Sequence, residues 1–238
     1  IKVSIAKDMA KNMAIKILIF IVVLLSSCSL NDQKRIENIE KMIDAFSTSL
    51  DEKSIKEIKR DEIKDIPYPL IEVRTNGILK QVVMLPLSER GGYSNYTSGE
   101  GQNLTKNGAL ISKTYGFNVG MISHKVDENS PFLILTEVSK WSSKTNHEYE
   151  FITPSFSSKR LSFQCKISRQ KNVITVIMQK EFNTVKITEN CLNGLTSFSN
   201  IYWATEDGFV WKSIQWLGNE LSSDKDIYAE MYILKKNY

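Results

Sequence analysis

YWATEDGFVWKSIQWL, residues Tyr202–Leu217, sets two aromatic-rich apolar runs on either side of Asp207-Gly208. Asp-Gly between such runs is a strong hairpin signal. The tight turns that match strand twist need positive φ at their centre, which Asp and Gly tolerate. A two-residue loop there pairs Ala204 with Trp211, Tyr202 with Ser213 and Asn200 with Gln215 on one face. Trp203, Lys212, Ile201, Ile214 and Trp216 then share the other, since side chains alternate along a strand. Rings beside amides and hydroxyls suit a pyranose, which has apolar C–H faces and a rim of hydroxyls. One of the two faces has to be core, with its Tyr and Trp polar atoms partnered. The candidate binding surface is therefore Tyr202, Trp203, Trp211, Ser213, Gln215 and Trp216, for a sugar or a protein.

The same grammar recurs upstream. LIEVR and ILKQVVMLPL flank Asn76-Gly77, and NLTK and ALISKT flank Asn107-Gly108. Three such signals, with no strand–helix–strand rhythm, predict an antiparallel meander rather than a parallel sheet. Leu161, Phe163, Cys165 and Ile167 alternate with polar residues, as in a strand with one wet face. NVITVIM is apolar on both faces and predicts a central strand or one covered by a helix. EFNTVKITEN makes a third strand. If these three form a simple meander, Cys165 and Cys191 stand two strand spacings apart, roughly 9–10 Å, too far for a disulfide. An oxidising compartment favours the bridge, and the pairing stays open.

Before Tyr68 the pattern is helical. Ile36, Ile39, Met42, Ile43 and Phe46 form one apolar stripe over Arg35–Ser47. Ser54 and Glu57 form a capping-box pair before a second short helix, about Ile55 to Lys64, which Pro67 and Pro69 end. Further forward, Ile17–Leu25 is too short to span a bilayer but fits a secretory signal, with Lys11 and Lys16 in front. Translation beginning at Met9 or Met13 would suit that reading. Leu25-Ser26-Ser27-Cys28 is similar to the bacterial lipobox, in which the cysteine is acylated and becomes the first mature residue. Three acyl chains hold a protein on a membrane far more firmly than one. Ser29 after the cysteine favours the outer membrane by resemblance to sorting signals. Residues 28–34 then read as a lipidated tether, and 35–238 as one β-rich periplasmic domain.

Losing residues 1–27 removes four lysines and one aspartate and lowers the formal charge from +4 to +1. The remaining lysines are scattered, so no nucleic-acid partner is expected. Catalytic signals are sparse. His124 and His147 lack zinc spacing and read as exposed strand or loop residues. Ser168-x-x-Lys171 and Ser222-x-x-Lys225 fall in polar turns. Glu148 and Glu150 read as a solvated strand face, and Gly91-Gly92 as a turn. No catalytic residue, metal or cofactor is assigned.

These pieces, in order, resemble the group 4 capsule lipoproteins of the GfcB/YjbF type. The resemblance rests on the Cys28 lipobox, IPYPLIEVRTNG, YTSGEGQNLTKNGALISKTYGF and NIYWATEDGFVWKSIQWLG, the last with Gly208, Trp211, Ser213, Gln215 and Gly218. It covers about Ser54 to Lys235 and is weakest across 124–160. It implies a mainly β fold, a strongly curved antiparallel meander forming a closed or nearly closed barrel or sandwich. It also implies a non-enzymatic role in making or exporting capsular or exopolysaccharide at the outer membrane. The implied partners are outer-membrane or periplasmic export proteins and the capsular polysaccharide itself. The alternatives are a periplasmic carbohydrate-active enzyme and a structural plug for an outer-membrane barrel.

Overall fold

The computed structural model describes residues 57–77, 81–153, 155–221 and 225–235. A short helix α1 (Arg60–Ile63) precedes β1 (Leu70–Thr75), β2 (Gln81–Arg90), β3 (Tyr93–Thr97), β4 (Asn103–Asn107), β5 (Leu110–Tyr115) and β6 (Met121–Val126). After a 3₁₀ turn (Val138–Lys140) come β7 (Lys144–Ile152), β8 (Ser158–Ile177), β9 (Lys180–Leu192), β10 (Ser197–Ala204), β11 (Val210–Asn219) and β12 (Asp226–Lys235). The signal segment, the tether, Cys28 and the Arg35–Ser47 helix lie outside the described residues. Of the second helix only Arg60–Ile63 is helical from Glu57 on, with the Lys59 backbone N–H donating to Glu62 Oε2 at 3.3 Å.

All twelve strands form one antiparallel sheet in the order β5-β4-β3-β2-β1-β12-β11-β10-β9-β8-β7-β6. This is a sequential meander bent into a ring, with its ends joined by the β1–β12 ladder. The chain is mainly β, a nearly closed antiparallel barrel. Its seam falls between β5 and β6, where side chains replace the missing ladder. Ile111 N–H donates to Gln215 Oε1 (2.9 Å), and Gln215 Nε2 donates to Ala109 O (3.0 Å). His124 Nδ1 meets Ile111 O at 2.8 Å, and Ser112 Oγ donates to His124 O at 3.1 Å. Buried backbone polar groups need partners, and β11 and β6 supply them across the opening.

Alternation builds the interior. Ile227, Ala229, Met231 and Ile233 of β12 are buried and alternate with half-exposed Tyr228, Glu230 and Tyr232. A large cluster around Trp216, Tyr149, Phe163 and Phe198 fills one region. Phe132, Val138 and Trp141, from the β6–β7 connection, join Tyr202, Ile187 and Val210 in a second. That connection explains two of the turn glycines. Cβ atoms at Gly108 and Gly208 would sit 2.2 and 2.0 Å from the carbonyl oxygens of Phe132 and Thr136, and both glycines have positive φ. Only glycine admits so close a backbone approach.

Three local expectations are corrected. The Asp207-Gly208 loop is longer than two residues. Gly208 N–H bonds Thr205 O (2.8 Å), Gly208 is left-handed, and Ala204 pairs with Val210, not Trp211. Asn76-Gly77 makes no two-residue turn either, because Asn76 extends toward β12, accepting from Tyr228 N–H and donating to Asp226 O. The two predicted strands LSFQCKIS and NVITVIM are one twenty-residue strand, β8, with an irregularity at Gln170–Val173 and left-handed Asn172. Its distal half is neither central nor covered, since Ile174 and Val176 are each 56% exposed.

Merging those strands makes β8 and β9 neighbours and sets Cys165 directly opposite Cys191, Cα atoms 4.0 Å apart and sulfurs bonded. The two-spacing separation failed because it counted a strand that does not exist. At a sequence separation of 26, chain entropy assigns the bridge about 3–4 kcal/mol. Denaturant unfolding with and without a thiol reductant should show a loss of that order, and identical midpoints would remove the bridge from the stability of the barrel.

Candidate functional site

The aromatic hairpin is β10–β11. Its central register is Ile201–Ile214, Tyr202–Ser213 and Trp203–Lys212. Both ends depart from an ideal ladder. At the turn end Trp211 is an extra residue between the Trp203–Lys212 and Ala204–Val210 pairs, a β-bulge. It leaves the Tyr202 face and packs its ring on Phe182 and Phe209, with centroids 4.2 and 4.8 Å away. At the other end a shift between Trp216 and Gly218 turns Trp216 into the interior, 1% exposed, although alternation had placed it beside Trp203. Asn200 fixes this by accepting the Trp216 backbone N–H at 2.9 Å.

The six residues therefore divide. Tyr202, Ser213, Gln215 and Trp216 are buried and build the barrel. Trp203 and Trp211 remain half-buried on its outer wall. Around Trp203 a row of paired residues crosses the wall from β9 to β12: Lys186, Trp203, Lys212 and Tyr232. The Lys212 ammonium lies 4.8 Å from both the Trp203 and Tyr232 ring centroids, and Lys186 lies 5.8 Å from Trp203. Cation–π attraction holds such a row together. Glu230 bonds Lys212 at 2.7 Å. Burial alone would raise the Glu230 carboxyl, but hydrogen bonds from Lys212 and Tyr232 outweigh it and hold the carboxyl below its ordinary value. Burial, followed by the Glu230 carboxylate, pushes the Tyr232 phenol up.

Inside, the sequence reading missed a polar chain. His124 and His147 are buried, not exposed. His124 Nε2 meets His147 Nδ1 at 2.7 Å, and His147 Nε2 meets Glu189 Oε1 at 2.8 Å. With the His124 Nδ1 contact to Ile111 O, three hydrogen bonds run in series. A carbonyl can only accept, so His124 Nδ1 carries its proton and Nε2 is left to accept. Burial, then the neighbouring His147, lowers the His124 imidazole to about 3, keeping it neutral. The pattern then makes His147 Nδ1 the donor to His124. Glu189 also accepts from Thr145, Asn200 (3.0 Å) and Tyr202 (3.5 Å). Burial would raise Glu189, but the His147 charge and the hydrogen bonds from His147, Thr145 and Asn200 outweigh it and lower the carboxyl. Alternation along β7 and β9 could have flagged the inward positions; nothing in the spacing could show that His124, His147 and Glu189 converge.

His147, Glu189, Cys165 and Cys191 bring potential metal-ligand atoms within 4.8 Å of one another. The cysteines are spent on the disulfide, and both His147 nitrogens and the Glu189 carboxylate are spent on the chain. His147 and Glu189 side chains have no solvent exposure. Of the other candidates, Ser168 donates to Thr188 O from an exposed strand position, and Glu150 meets Arg160 at 3.5 Å. Ser222 lies outside the described residues.

The fold is similar to the crystal structure of the hypothetical lipoprotein YmcC from Escherichia coli K12. The TM-score is 0.61 at 17% identity, covering 83% of this chain and 97% of that one. At that identity the likeness is one of fold. No curated protein matches the sequence. The sequence profile of group 4 capsule polysaccharide lipoproteins GfcB/YjbF matches residues 43–223, starting earlier and ending earlier than the stretch that carried the resemblance. The matched stretch takes in β1–β11 and most of the chain, and the chain belongs to the group 4 capsule polysaccharide lipoprotein family.

Proposed function

We propose that this chain is an accessory lipoprotein of capsular or exopolysaccharide export, anchored in the outer membrane through acylated Cys28, and that it works by contact rather than turnover. The observation that carries this reading is where the rings lie. Trp216, Tyr149, Phe163 and Phe198, and Phe132 with Tyr202, are packed into the two core clusters. The aromatic and cationic row of Trp203, Lys212 and Tyr232, with Trp211 nearby, is on the outer wall. Rings paired with lysines there suit a sugar chain or a partner protein of the export assembly. The His124–His147–Glu189 chain is buried, which favours binding over catalysis.

Deleting the gene is expected to remove most surface polysaccharide, measured by capsule stain, with restoration by the wild-type gene and none by Cys28→Ser. Unchanged polysaccharide in the deletion strain contradicts the proposal. Turnover of capsule polymer by the purified protein, abolished by one Glu or Asp substitution, would move the assignment to the carbohydrate-active alternative.

A further inference from the structure

Two turns at one end of the barrel display large apolar side chains that the core does not take up. In a sequential antiparallel meander the turns after odd-numbered strands share an end, so the β7–β8 and β9–β10 turns lie on the same side. Phe156 in the first is 89% exposed, and Leu195 in the second is 98% exposed. Ile152 and Leu192, at the adjoining strand ends, are exposed as well. The β7–β8 hairpin also projects. The β8–β9 ladder stops at the Gln164–Leu192 pair, whereas β7 stays paired with β8 as far as Ser158. Ser158–Phe163 thus runs past the β8–β9 ladder by about 20 Å, at about 3.3 Å per residue.

The turn holds its ring outward against local preference. Phe156 has φ +58°, a left-handed conformation unfavourable for a bulky side chain, and burial returns nothing for it. The amides beside the ring are nonetheless satisfied. Phe156 N–H donates to Thr153 O (2.9 Å), Thr153 N–H to Ser157 O (2.8 Å) and Ser157 N–H to Thr153 Oγ1 (3.3 Å). The hydroxyls of Thr153, Ser155 and Ser157 lie 2.7–3.1 Å from one another. In the second turn Asn193 Oδ1 accepts from the N–H groups of Leu195 (3.1 Å) and Thr196 (2.8 Å). Backbone that leaves water must find its partners internally, and these amides already have them.

Charge points the same way. Phe151 to Lys180 contains six cations and no carboxylate, and Asn190 to Thr205 carries no charge. Lys159 and Arg160 follow Phe156 closely and are exposed, with Arg160 meeting Glu150 at 3.5 Å. An aromatic apex with cations behind it suits the interfacial layer of a bilayer, where rings sit at headgroup level and cations meet anionic headgroups. A protein hot spot is instead ringed by contacts that exclude water, and hydroxyls and exposed cations supply no such ring here. The other exposed apolar pair on β8, Ile174 and Val176, lies toward the opposite end, with Glu181 paired to Val176.

We propose that the β7–β8 apex is a second membrane contact. Phe156 enters the interfacial layer of an anionic phospholipid bilayer and Lys159 and Arg160 lie against its phosphates, with the uncharged Leu195 turn facing the same side. The bilayer as occupant rests on the anchored-lipoprotein reading; the exposed apex, its satisfied amides and its charge do not. Such a contact orients the barrel on the surface that the lipid anchor only tethers it to.

The test reconstitutes the full-length chain, extracted from envelopes in detergent, into phosphatidylethanolamine/phosphatidylglycerol vesicles with or without brominated acyl chains. Phe156→Trp keeps a ring at the apex and adds a fluorescent reporter. Tyr93→Trp places a reporter at the opposite end, beside the β2–β3 turn, and the emission of the wild-type chain is subtracted from both. Brominated lipid is expected to quench the Phe156→Trp reporter and to leave the Tyr93→Trp reporter unchanged. Adding Lys159→Gln/Arg160→Gln should shift the balance toward the free apex about tenfold, the order expected for two cations at an anionic surface when one is shared with a carboxylate. Three results overturn the proposal: no quenching at position 156, equal quenching of both reporters, or quenching indifferent to the double substitution. A blue-shifted Phe156→Trp emission that brominated lipid does not quench assigns the apex to a protein contact and overturns it too. Mass spectrometry of Cys28 in the same sample separates this contact from the anchor. An acylated chain without quenching removes the membrane apex and leaves the anchor standing, and an unmodified Cys28 beside a quenched reporter does the reverse.

Discussion

Glu189→Ala is expected to lower the unfolding free energy by about 3–5 kcal/mol, because it strips the counter-charge from a buried, hydrogen-bonded partner. His147 would keep a donor aimed at nothing, and the donors of Thr145 and Asn200 would lose their acceptor. The same chain sets the pH response. His124 is lowered to about 3 in the fold against an ordinary 6.5. Above pH 6.5 it is neutral folded and unfolded. Below that, the unfolded chain takes up a proton that the fold refuses, so stability falls as pH drops toward 3. Glu189, also lowered, adds its own loss below about pH 4.3, the ordinary carboxyl value. Thermal melts from pH 8 to pH 4 should therefore show stability declining mainly below pH 6.5. His124→Gln should flatten the decline between pH 6.5 and 4.5. A flat wild-type profile there would refute the neutral buried imidazole.

Trp216→Ala should cost about 3–5 kcal/mol, the range for emptying a large aromatic site in a core. Its ring stacks on Phe198 at 4.3 Å and meets Tyr149, Phe163 and Phe151 edge-on at 5.2–5.6 Å, while its indole N–H donates to Asp226 at 2.7 Å. Trp216→Phe keeps a ring there and gives up only that hydrogen bond, so it should cost markedly less. Chemical denaturation of both variants separates the terms. Trp203→Ala, on the outer wall, should cost less than Trp216→Ala.

What could be read from sequence was the local grammar. The antiparallel meander followed from Asn-Gly and Asp-Gly between alternating runs, and the Tyr202–Ser213 pairing survived even though the turn is longer than two residues. The errors arose where an irregularity shifted the count. Alternation assumes an unbroken ladder, so the bulges at Trp211 and Trp216 exchanged those residues' faces. The polar Ser168–Lys171 stretch reads as a turn between two strands, whereas β8 runs on through it with an irregularity at Gln170–Val173, and that misplaced the cysteines. The His124–His147–Glu189 chain is assembled by β6, β7 and β9, and no window of sequence contains it. The glycines of the turns were read as answers to φ alone, whereas at Gly108 and Gly208 the backbone of the β6–β7 connection also lies in the way.

The interior clusters hold the shape of this barrel, and one measurement tests the proposal that its outer wall carries the contacts. A deletion strain is complemented with Trp203→Ala/Trp211→Ala, with outer-membrane levels of the protein matched to wild type by immunoblot, and surface polysaccharide is quantified. The expected result is a folded, correctly located protein and loss of most surface polymer. Polysaccharide restored to the wild-type amount would contradict an outer-wall role and return the function to some other part of the molecule.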